Sequence, residues 1–413
     1  MVDIIVSPIG NKADGVIWFC CADHDATLFE KQYPVTDGMT YNSYIIKDKK
    51  VAVMDAVDHA VEAKWLDKVK EHLTGSGIES PDYLIVQHLE PDHSASIGEF
   101  MTTYPDCLLV CSAKAATMLP HFANGISHER VVEVREGEEL DLGSRRLKFI
   151  MAPMVHWPEV MVTYDSRSKI LFSADAFGTF GSTLPVKIAG GGQLVEDEWR
   201  DEARRYFINI CGKYGAQVQS LLKKLTTADV EYLCPLHGPV IKLDEFNPVP
   251  LYELWSSYRA DEPAKCLLVV GSLHGNTVTA ADRLSEMLKD RGVNSEVLDL
   301  SRVHSSEAVS KAFGAGTVVF MSATYDASAV PSVTELLARL KSKNWQARHA
   351  AIVENGSWAP VAGKVIADNL AGMKDISVIE PKVTIRTRLD EESESALSTL
   401  ADEITKNVKT INQ

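Results

Sequence analysis

The second half of this 413-residue chain alternates a strand-like run with a helical pattern five times, and this rhythm restricts its fold more than any other feature. The strand-like runs span 266–270, 295–300, 318–321, 350–353 and 376–379. The helical patterns span 277–290, 305–313 and 361–371, and two more begin at Pro331 and at about Glu391. Strands that alternate with helices pair in parallel and are covered on both faces. The sequence therefore predicts a doubly wound parallel five-stranded sheet here.

The first half has a different pattern, in which several strand-like runs follow one another directly. The runs are Tyr44–Ile46, Val51–Met54, Tyr83–Val86, Cys107–Cys111, Leu147–Ile150, Val160–Tyr164, Ile170–Phe172 and Val230–Leu233. Helical patterns fall between some of them, at 60–73, 113–122 and 196–225. This mixture predicts two sheets with helices outside. Two prolines within Phe246–Tyr252 mark a connector, so the expected domains are residues 1–255 and 264–413.

Charge and cysteine content narrow the possible partners and the compartment. The net charge of −15 argues against a nucleic-acid-binding surface, which needs basic clusters. The start of the chain does not resemble a signal peptide, and no apolar run reaches the roughly 20 residues of a membrane helix. Seven cysteines without a C-x-x-C pair indicate reduced thiols and no built-in rubredoxin or ferredoxin module. We expect a cytoplasmic protein that binds neither membrane nor nucleic acid.

The strongest chemical signal directly follows the strand-like run that ends at Val86. Residues 87–93 read Gln-His-Leu-Glu-Pro-Asp-His, which places two histidines and two carboxylates within six residues. Four ionisable side chains this close together would be costly to bury without a metal ion. Imidazole nitrogens and carboxylate oxygens suit divalent iron, manganese or zinc. The predicted ligands in this stretch are His88, Glu90, Asp92 and His93.

Three more candidate ligands, His156, Asp175 and His237, each follow a strand-like run in the same way. A lone histidine or aspartate at such a position usually has a structural role, for example as a turn or cap residue. The dense group at 88–93 changes this interpretation, because binding groups gather where the strands of a sheet end. We therefore expect all seven side chains to form one metal centre.

The order of these residues resembles the ligand pattern of the metallo-β-lactamase fold, H-x-[EH]-x-D-H followed by His, Asp and His. Hydrolases of that fold usually have His at the third position, where this chain has Glu90. Glu at this point resembles the flavodiiron family, whose centre holds two irons, and an oxygen ligand helps to stabilise ferric iron. Neighbouring stretches also look like family sequence, and they are His156-Trp-Pro-Glu, Asp175-Ala-Phe-Gly and Leu236-His-Gly-Pro.

The resemblance covers almost the whole chain and implies a fold, a ligand assignment and an activity. The implied fold is a metallo-β-lactamase-like αββα sandwich followed by a flavodoxin-like domain. One iron would be bound by His88, Glu90 and His156, the other by Asp92, His93 and His237, with Asp175 as the bridge. The implied activity is that of an oxidoreductase that reduces dioxygen to water, nitric oxide to nitrous oxide, or both, with FMN relaying electrons.

The loop 271–277 lies between the first predicted strand and the first predicted helix of the second half, and it reads Gly-Ser-Leu-His-Gly-Asn-Thr. Its hydroxyl and amide side chains, and the N–H groups at the helix start, favour an anion. An ATP site is not expected, because the lysine of a Walker loop is missing. The loop resembles the phosphate loop of flavodoxins, and its single anion site suits FMN, whereas FAD would need more room.

Two later strand ends carry loops that flank the isoalloxazine ring in flavodoxins. They read Ser322-Ala-Thr-Tyr-Asp and Asn355-Gly-Ser-Trp, so Tyr325 and Trp358 are expected to stack on the ring, the alternative for each being core packing. The predicted FMN-binding residues are Ser272, Leu273, His274, Gly275, Asn276, Thr277, Ala323, Thr324, Tyr325, Asp326, Asn355, Gly356, Ser357 and Trp358.

The chain departs from the family pattern near residue 30. Many members have a Phe-His-Gly-Tyr-like stretch there, with the histidine close to the irons, whereas residues 28–33 read Leu-Phe-Glu-Lys-Gln-Tyr. We expect the carboxylate of Glu30 to change the local supply of protons and the preference between the two gases.

The resemblance also implies partners. Flavodiiron proteins form a head-to-tail homodimer, or a dimer of such dimers, in which the flavin of one chain meets the irons of the other. A separate electron donor would be a rubredoxin or, as in some relatives, coenzyme F420. Two alternatives remain open: a two-zinc hydrolase of the metallo-β-lactamase fold fused to a flavodoxin domain, and a non-catalytic electron carrier with a degenerate first half.

Overall fold

The computed structural model describes residues 1–10 and 15–411. Its packing divides the chain into two compact units. The first unit comprises Met1–Phe207 and Ala216–Tyr252, and the second comprises Ile208–Gly215 and Glu253–Gln413. The domain limits 1–255 and 264–413 stay a prediction beside this division.

Among the described residues, the first sheet of the first unit has seven strands, and β3 and β4 form a short hairpin outside it. The strands up to residue 134 are β1 (Val2–Pro8), β2 (Val16–Asp23), β3 (Leu28–Phe29), β4 (Tyr33–Pro34), β5 (Met39–Lys47), β6 (Val51–Met54), β7 (Tyr83–Val86), β8 (Leu108–Ser112) and β9 (Val131–Val134). The order in the sheet is β1-β2-β5-β6-β7-β8-β9. Pairing is antiparallel from β1 to β6 and parallel from β6 to β9.

The second sheet of this unit has six strands in sequence order. They are β10 (Glu139–Asp141), β11 (Arg146–Met151), β12 (Met161–Asp165), β13 (Ile170–Phe172), β14 (Tyr232–Cys234) and β15 (Ile241–Lys242). Pairing is antiparallel except between β13 and β14, which run in parallel. The loops that follow β13 and β14 therefore leave the sheet at the same edge.

The two sheets bury their facing side chains in one core. Trp18 and Tyr44 from the first sheet and Phe149 and Phe172 from the second belong to a single buried cluster. Tyr44 and Phe172 meet edge to face, with ring centroids 5.2 Å apart. Aromatic side chains of this size contribute much of the apolar area buried between packed sheets. The predicted two-sheet arrangement is confirmed.

The helices of the first half connect the strands of the two sheets. They are α1 (Glu62–Gly75), α2 (Pro91–Ser94), α3 (Ile97–Thr103), α4 (Ala113–Met118), α5 (Thr183–Ala189), α6 (Glu196–Ile210), α7 (Gly215–Leu225) and α8 (Val249–Ser256). In α1, Trp65, Val69 and Leu73 are buried at a spacing of four residues, which places them on one face of the helix.

The helix predicted over 196–225 is interrupted. A 3₁₀ turn over Gly212–Tyr214 separates α6 from α7. The backbone of Gly215 lies so close to the carbonyl oxygen of Ser256 that a Cβ atom there would be 2.2 Å from it. Only glycine permits this approach. The helical periodicity of the sequence carries no information about such a distant contact.

The second unit contains the predicted parallel sheet. Its strands are β16 (Glu262–Gly271), β17 (Ser295–Asp299), β18 (Ala315–Tyr325), β19 (Ser328–Ala329), β20 (Arg348–Asn355) and β21 (Ile376–Ile385). Five strands pair in parallel in the order β17-β16-β18-β20-β21, and β19 pairs only with β18. This is the flavodoxin order 2-1-3-4-5. The flavodoxin-like prediction is confirmed.

Five helices accompany this sheet, and they are α9 (Asn276–Asp290), α10 (Ser305–Gly314), α11 (Pro331–Ser342), α12 (Ala362–Ala371) and α13 (Glu391–Ile411). Leu284 of α9 and Leu400 of α13 pack in one cluster with Val270 of β16 and Val353 of β20. The carboxyl ends of β16, β18 and β20 carry the three loops in which flavin contacts are predicted. In the described ranges, no helix combines the length and apolar character needed to cross a membrane.

Candidate metal centre and flavin cleft

The seven predicted metal ligands lie side by side in the first unit. They form two groups, and within each group the potential ligand atoms lie within 4.8 Å of one another. The groups are His88, Glu90, His156 and Asp175, and Asp92, His93 and His237. Five of these residues are buried, and Glu90 and His156 are partly exposed. Their roles as ligands stay a prediction, but their proximity is a property of the fold.

A tight turn after β7 brings four of these side chains together. Glu90 is the N-cap residue of α2, and Pro91 is its first residue, with a ring that fixes the backbone angle φ. The single helical turn that follows contains Asp92 and His93, and the amide of His93 donates to the carbonyl oxygen of Glu90 at 2.9 Å. The four residues are thus close together in space as well as in sequence.

Asp55 fixes the start of this turn. Its carboxylate accepts hydrogen bonds from the backbone N of Gln87 at 2.7 Å and from the side-chain Nε2 of Gln87 at 2.9 Å. Burial raises the pKa of Asp55 to about 6, and the hydrogen bonds from Gln87 oppose that rise. The residue before His88 is therefore held at both its backbone and its side chain.

Strand β5 holds the loop that presents His237. The Nδ2 of Asn42 donates to the carbonyl oxygens of Pro235 at 2.9 Å and Gly238 at 2.8 Å. The Nδ1 of His237 contacts the carbonyl oxygen of Thr40 at 2.7 Å, and the amide of Gly238 donates to the hydroxyl of Thr40 at 3.0 Å. These bonds come from a strand almost 200 residues away along the chain.

Asp175 lies between the two groups and turns one oxygen toward each. Its Oδ2 is 3.3 Å from His88 Nε2 and 3.2 Å from His156 Nε2. Its Oδ1 is 3.3 Å from His93 Nε2 and 3.7 Å from His237 Nε2. A carboxylate in this orientation can bind two metal ions at once.

The remaining carboxylates belong to one group each. Glu90 Oε2 is 3.0 Å from His156 Nε2 and 3.4 Å from His88 Nε2. Asp92 Oδ2 is 3.1 Å from His237 Nε2 and 3.5 Å from His93 Nε2. Each position therefore combines two imidazoles, one carboxylate of its own and one oxygen of Asp175.

Hydrogen bonds outside the centre determine which ring nitrogens point inward with a lone pair. Because the carbonyl oxygen of Thr40 can only accept, Nδ1 of His237 carries the proton. Nδ1 of His88 likewise donates to Oε1 of Glu159 at 2.8 Å. The Nε2 atoms of both rings are then free to bind metal, the arrangement usual for ligating histidines.

The charges in the centre fit a pair of cations. Both carboxylate oxygens of Asp92 and Oδ1 of Asp175 are buried and accept no hydrogen bond in the described part of the chain. Burial tends to lower the pKa of His156, but Asp175 and Glu90 raise it to about 9. Burial tends to raise the pKa of Glu90, but the neighbouring imidazoles of His156 and His88 lower it to about 2. Buried carboxylates without hydrogen bonds are costly, and divalent cations would compensate them.

The second unit has a cleft of about 510 Å³ at the carboxyl ends of β16, β18 and β20. This volume lies in the range of small-molecule sites. It is lined by Ser272, Leu273, His274, Asn276, Thr277, Ala323, Thr324, Asp326, Ala327, Asn355, Gly356, Ser357, Trp358, Ala359, Val361 and Thr387. Binding sites of doubly wound sheets lie at this edge.

The first loop of the cleft has the geometry of an anion site. Gly275 is the N-cap residue of α9 with φ +90°, a left-handed conformation, and no atom would lie within 4 Å of a Cβ added there. Its amide donates to the hydroxyl of Ser272 at 3.1 Å. The open backbone and the N-terminus of a 15-residue helix suit a phosphate group.

The chain is similar to known proteins along nearly its whole length. Residues 39–238 match the family described as ODP family beta lactamase. A nitric oxide reductase of Moorella thermoacetica is 26% identical over 90% of this chain and 92% of its own length. The rubredoxin:oxygen oxidoreductase of Desulfovibrio gigas is 24% identical, with a TM-score of 0.86 over 98% of this chain and 99% of that one. The flavodiiron protein of Giardia intestinalis is 23% identical, with a TM-score of 0.85 over 96% and 95%.

Over nearly its whole length, the chain is similar in sequence and in fold to flavodiiron proteins. Its class of activity is therefore oxidoreduction, and the metallo-β-lactamase-like fold of its first half is confirmed.

Twelve of the 14 residues predicted to bind the flavin line the cleft. Gly275 shapes the loop without lining the cleft, and Tyr325 is 43% exposed outside it. Trp358 lines the cleft but is 91% exposed, so its ring packs against little of its own chain. Core packing is thus not the role of either aromatic side chain.

Thr387, which follows β21 and completes the cleft, was not among the predicted residues. Its amide donates to Oδ1 of Asn355 at 3.0 Å, and its carbonyl oxygen accepts from Nδ2 of Asn355 at 3.0 Å. Its position after the fifth strand could have indicated a place in the cleft, because the carboxyl ends of neighbouring parallel strands lie side by side. Ala327, Ala359 and Val361 were missed as well.

Glu30, where the chain departs from the pattern of the flavodiiron family, lies near the metal centre. It follows β3, where the ring of Phe29 packs edge to face on the ring of His237 at 5.1 Å. Burial, followed by the charge of Glu90 and those of other carboxylates in the centre, raises the pKa of Glu30 to about 7. The expected influence of Glu30 on gas preference stays a prediction.

Proposed function

We propose that the chain is a flavodiiron protein that reduces dioxygen to water, nitric oxide to nitrous oxide, or both, at a two-iron centre, with FMN as the electron relay. The bridging orientation of Asp175 carries this proposal, since its two oxygens face two separate sets of imidazoles. The relatives named nitric oxide reductase and rubredoxin:oxygen oxidoreductase support the two gases as substrates.

We assign the ligands as the resemblance to the flavodiiron family implies. His88, Glu90 and His156 would hold one iron, Asp92, His93 and His237 the other, and Asp175 both. Three carboxylates against four neutral imidazoles give the ligand set a charge of −3, which suits two divalent or trivalent cations. Bound iron would supply single electrons and stabilise the negative charge that develops on oxygen.

The residues of this chain prepare the centre before any substrate arrives. Glu159 and Thr40 hold the proton of their histidine on Nδ1 and thereby direct Nε2 inward. Phe29 covers the ring of His237, and Trp157 packs edge to face on His88 at 5.2 Å. These aromatic side chains limit the access of water, which strengthens electrostatic interactions in the site.

FMN fits the cleft of the second unit better than a dinucleotide does. The loop from Ser272 to Thr277 offers one anion site at the start of α9, and Asn355 links Thr277 to Thr387 at the opposite wall. FMN would accept an electron pair and release single electrons. Asn355, Thr324 and the backbone of the three loops would orient the ring and the phosphate.

The proposal extends to partners and compartment. Leu273, Tyr325 and Trp358 are large hydrophobic side chains exposed at or beside the cleft, and such patches mark interaction sites. We propose that they face a second copy of the chain in a head-to-tail homodimer or dimer of dimers. The donor would be a rubredoxin or coenzyme F420, and the seven free cysteines support a reducing cytoplasm.

The decisive experiment measures metal and flavin in protein purified without oxygen from an iron-replete host. We expect about two irons and one FMN per chain, as the two ligand groups and one cleft require. The reduced protein should then consume dioxygen or nitric oxide. Two zincs and no iron would contradict the proposal and favour the two-zinc hydrolase.

The gas assay needs a matched control. His93→Asn removes one imidazole from the second position and should abolish gas consumption, while His121→Asn changes an exposed histidine of the same unit. Equal gas consumption by both variants would place the reaction elsewhere, whatever the metal content.

A further inference from the structure

Glu159 is a buried carboxylate that contacts the metal centre only through a ligand. Its side chain has no exposed area, and Oε1 accepts hydrogen bonds from His88 Nδ1 at 2.8 Å and from the amide of Leu89 at 3.0 Å. Its Oε2 is buried without a hydrogen-bond partner in the described residues. The hydroxyl of Ser112 fixes the backbone by donating to the carbonyl oxygen of Glu159 at 2.8 Å. Its carboxylate therefore has a fixed position.

At His237 and His93, the ring nitrogen that faces away from the centre, Nδ1, has no charged hydrogen-bond partner in the described residues. Nδ1 of His237 donates to a neutral carbonyl oxygen, that of Thr40. Nδ1 of His93 has no hydrogen-bond partner in the part of the chain that the structure describes. The two metal positions therefore differ in their surroundings, although their ligand sets are alike in kind. Of these three imidazoles, that of His88 donates its outer N–H to a carboxylate.

A carboxylate partner changes an imidazole more than a carbonyl does. Charge-assisted hydrogen bonds are shorter and stronger than neutral ones. An imidazole that donates to a carboxylate becomes a more basic ligand, and its ring orientation is fixed. A more basic ligand stabilises the higher charge of an oxidised metal. The position held by His88 should thus favour ferric iron more than the position held by His93 and His237.

We propose that Glu159 makes the two iron positions unequal, by lowering the reduction potential of the iron that His88 binds. The proposal rests on the two-iron function above. Glu159 is a positioning residue, because it acts through His88 and touches neither substrate nor metal. Reduction adds one electron to each ferric iron and breaks no bond, and dithionite supplies the electrons in the test. The more reducible iron is then the one held by His93 and His237.

The test is a reductive titration of the oxygen-free holoenzyme, followed by the electron paramagnetic resonance of the mixed-valence state. Glu159→Gln keeps the size of the side chain and an oxygen that can accept from both His88 and Leu89, but it removes the charge. We expect full iron content, a higher potential for the second electron, and a smaller population of the mixed-valence state.

Asp165→Asn is the matched control, because Asp165 is an equally buried carboxylate of the same unit that pairs with Arg145 and, among the described residues, has no hydrogen bond to a ligand imidazole. A shift as large as that of Glu159→Gln would show a general charge effect and overturn the proposal. Glu159→Ala removes the hydrogen bond as well, and its iron affinity should fall by about 10- to 100-fold.

Two further results would count against the proposal. Unchanged potentials in Glu159→Gln, with iron retained, would show that the charge has no effect on the centre. If Glu159→Gln lost as much iron as Glu159→Ala, Glu159 would contribute to iron affinity and not to the reduction potential. Failure of the two-iron function is separately visible, because the unaltered protein would then lack iron and any mixed-valence signal.

Discussion

The metal centre and the flavin cleft differ in the charge of their polar groups and in how deeply these groups are buried. The metal centre collects ionisable side chains in a buried place, and Asp92 and Asp175 have carboxylate oxygens there that accept no hydrogen bond in the described residues. The flavin cleft is open, and its polar groups are hydroxyls, amides and backbone of residues such as Ser272, Thr277 and Asn355. The first site needs its ions to balance its charge, whereas the second is formed by its own hydrogen bonds.

This difference indicates at which of the two sites ligand binding stabilises the fold. Uncompensated carboxylates destabilise a folded state, so bound cations should stabilise the first unit strongly. Neutral groups in an open cleft remain hydrated without their ligand, so FMN should matter less for the stability of the second unit. Four substitutions can break or sharpen this contrast.

The largest effect is expected from Asp175→Asn in the metal centre. Because Asp175 faces both groups of ligands, iron affinity should fall by more than about 100-fold, beyond the usual effect of losing an outer-sphere partner. Metal analysis and flavin absorbance check this, with FMN content unchanged. Asp106→Asn, at an exposed position of the same unit, should keep its iron. Retention of both irons in Asp175→Asn would break the bridging interpretation.

The next test concerns Glu354, a buried carboxylate that pairs with the lysine side chain of Lys382. In the second unit, Glu354 accepts from Lys382 Nζ at 2.8 Å, Gly363 N at 2.8 Å and Thr384 Oγ1 at 2.9 Å. Glu354→Gln should lower the free energy of unfolding by about 1.5–3 kcal/mol near neutral pH. Urea unfolding measures it, with the exposed Glu286→Gln as control.

The same variant has a defined pH dependence. Burial tends to raise the pKa of Glu354, but Lys382 and the other donors lower it below its ordinary value of 4.5. A lowered carboxyl pKa stabilises the fold above the unfolded-state value, and this contribution is lost as the pH falls below it. The difference between Glu354→Gln and the unaltered protein should therefore shrink below about pH 4.5. A constant difference would contradict the ionic role of Glu354.

A moderate effect is expected from Gly275→Ala in the phosphate loop. A left-handed backbone costs a residue with a Cβ atom roughly 1–2 kcal/mol, so the free loop relaxes and FMN affinity should fall about 10-fold. Fluorescence titration of the flavin-free protein measures it. Gly98→Ala, where a Cβ also meets open space but no positive φ applies, should leave affinity unchanged. Equal affinities would show that the loop does not have to keep its conformation.

The smallest effect is expected from Thr324→Val. The hydroxyl of Thr324 accepts from the amides of Val361 at 3.1 Å and Ala362 at 3.3 Å. Losing this neutral acceptor costs about 1 kcal/mol, or roughly a 5-fold loss of FMN affinity. Thr317→Val in the same strand is the control, because its buried hydroxyl has no hydrogen-bond partner in the described residues. A loss comparable to that of Asp175→Asn would abolish the contrast between the two sites.

Much of the fold followed from local patterns. The strand–helix alternation predicted the parallel sheet of the second unit, and the short apolar runs predicted two sheets in the first. The edge strand β1 and its neighbour β2 were not predicted. In β1 four of the seven side chains are partly buried and none is fully buried, so the strand contributes little to the core. The break between α6 and α7 depends on the approach of Gly215 to Ser256, which no local pattern reveals.

For the sites, the sequence by itself determined the chemistry of the reactive groups. The spacing of residues 88–93 places four candidate ligands in one turn, because a turn brings neighbours in sequence together. That Asp175 faces both groups was implied only by the family resemblance, and only the tertiary structure decided that Glu159 supports His88 and that Thr40 supports His237. Thr40 and His237 are 197 residues apart, and Glu159 and His88 are 71 apart. Such contacts arise from the packing of two sheets, which residue spacing does not encode.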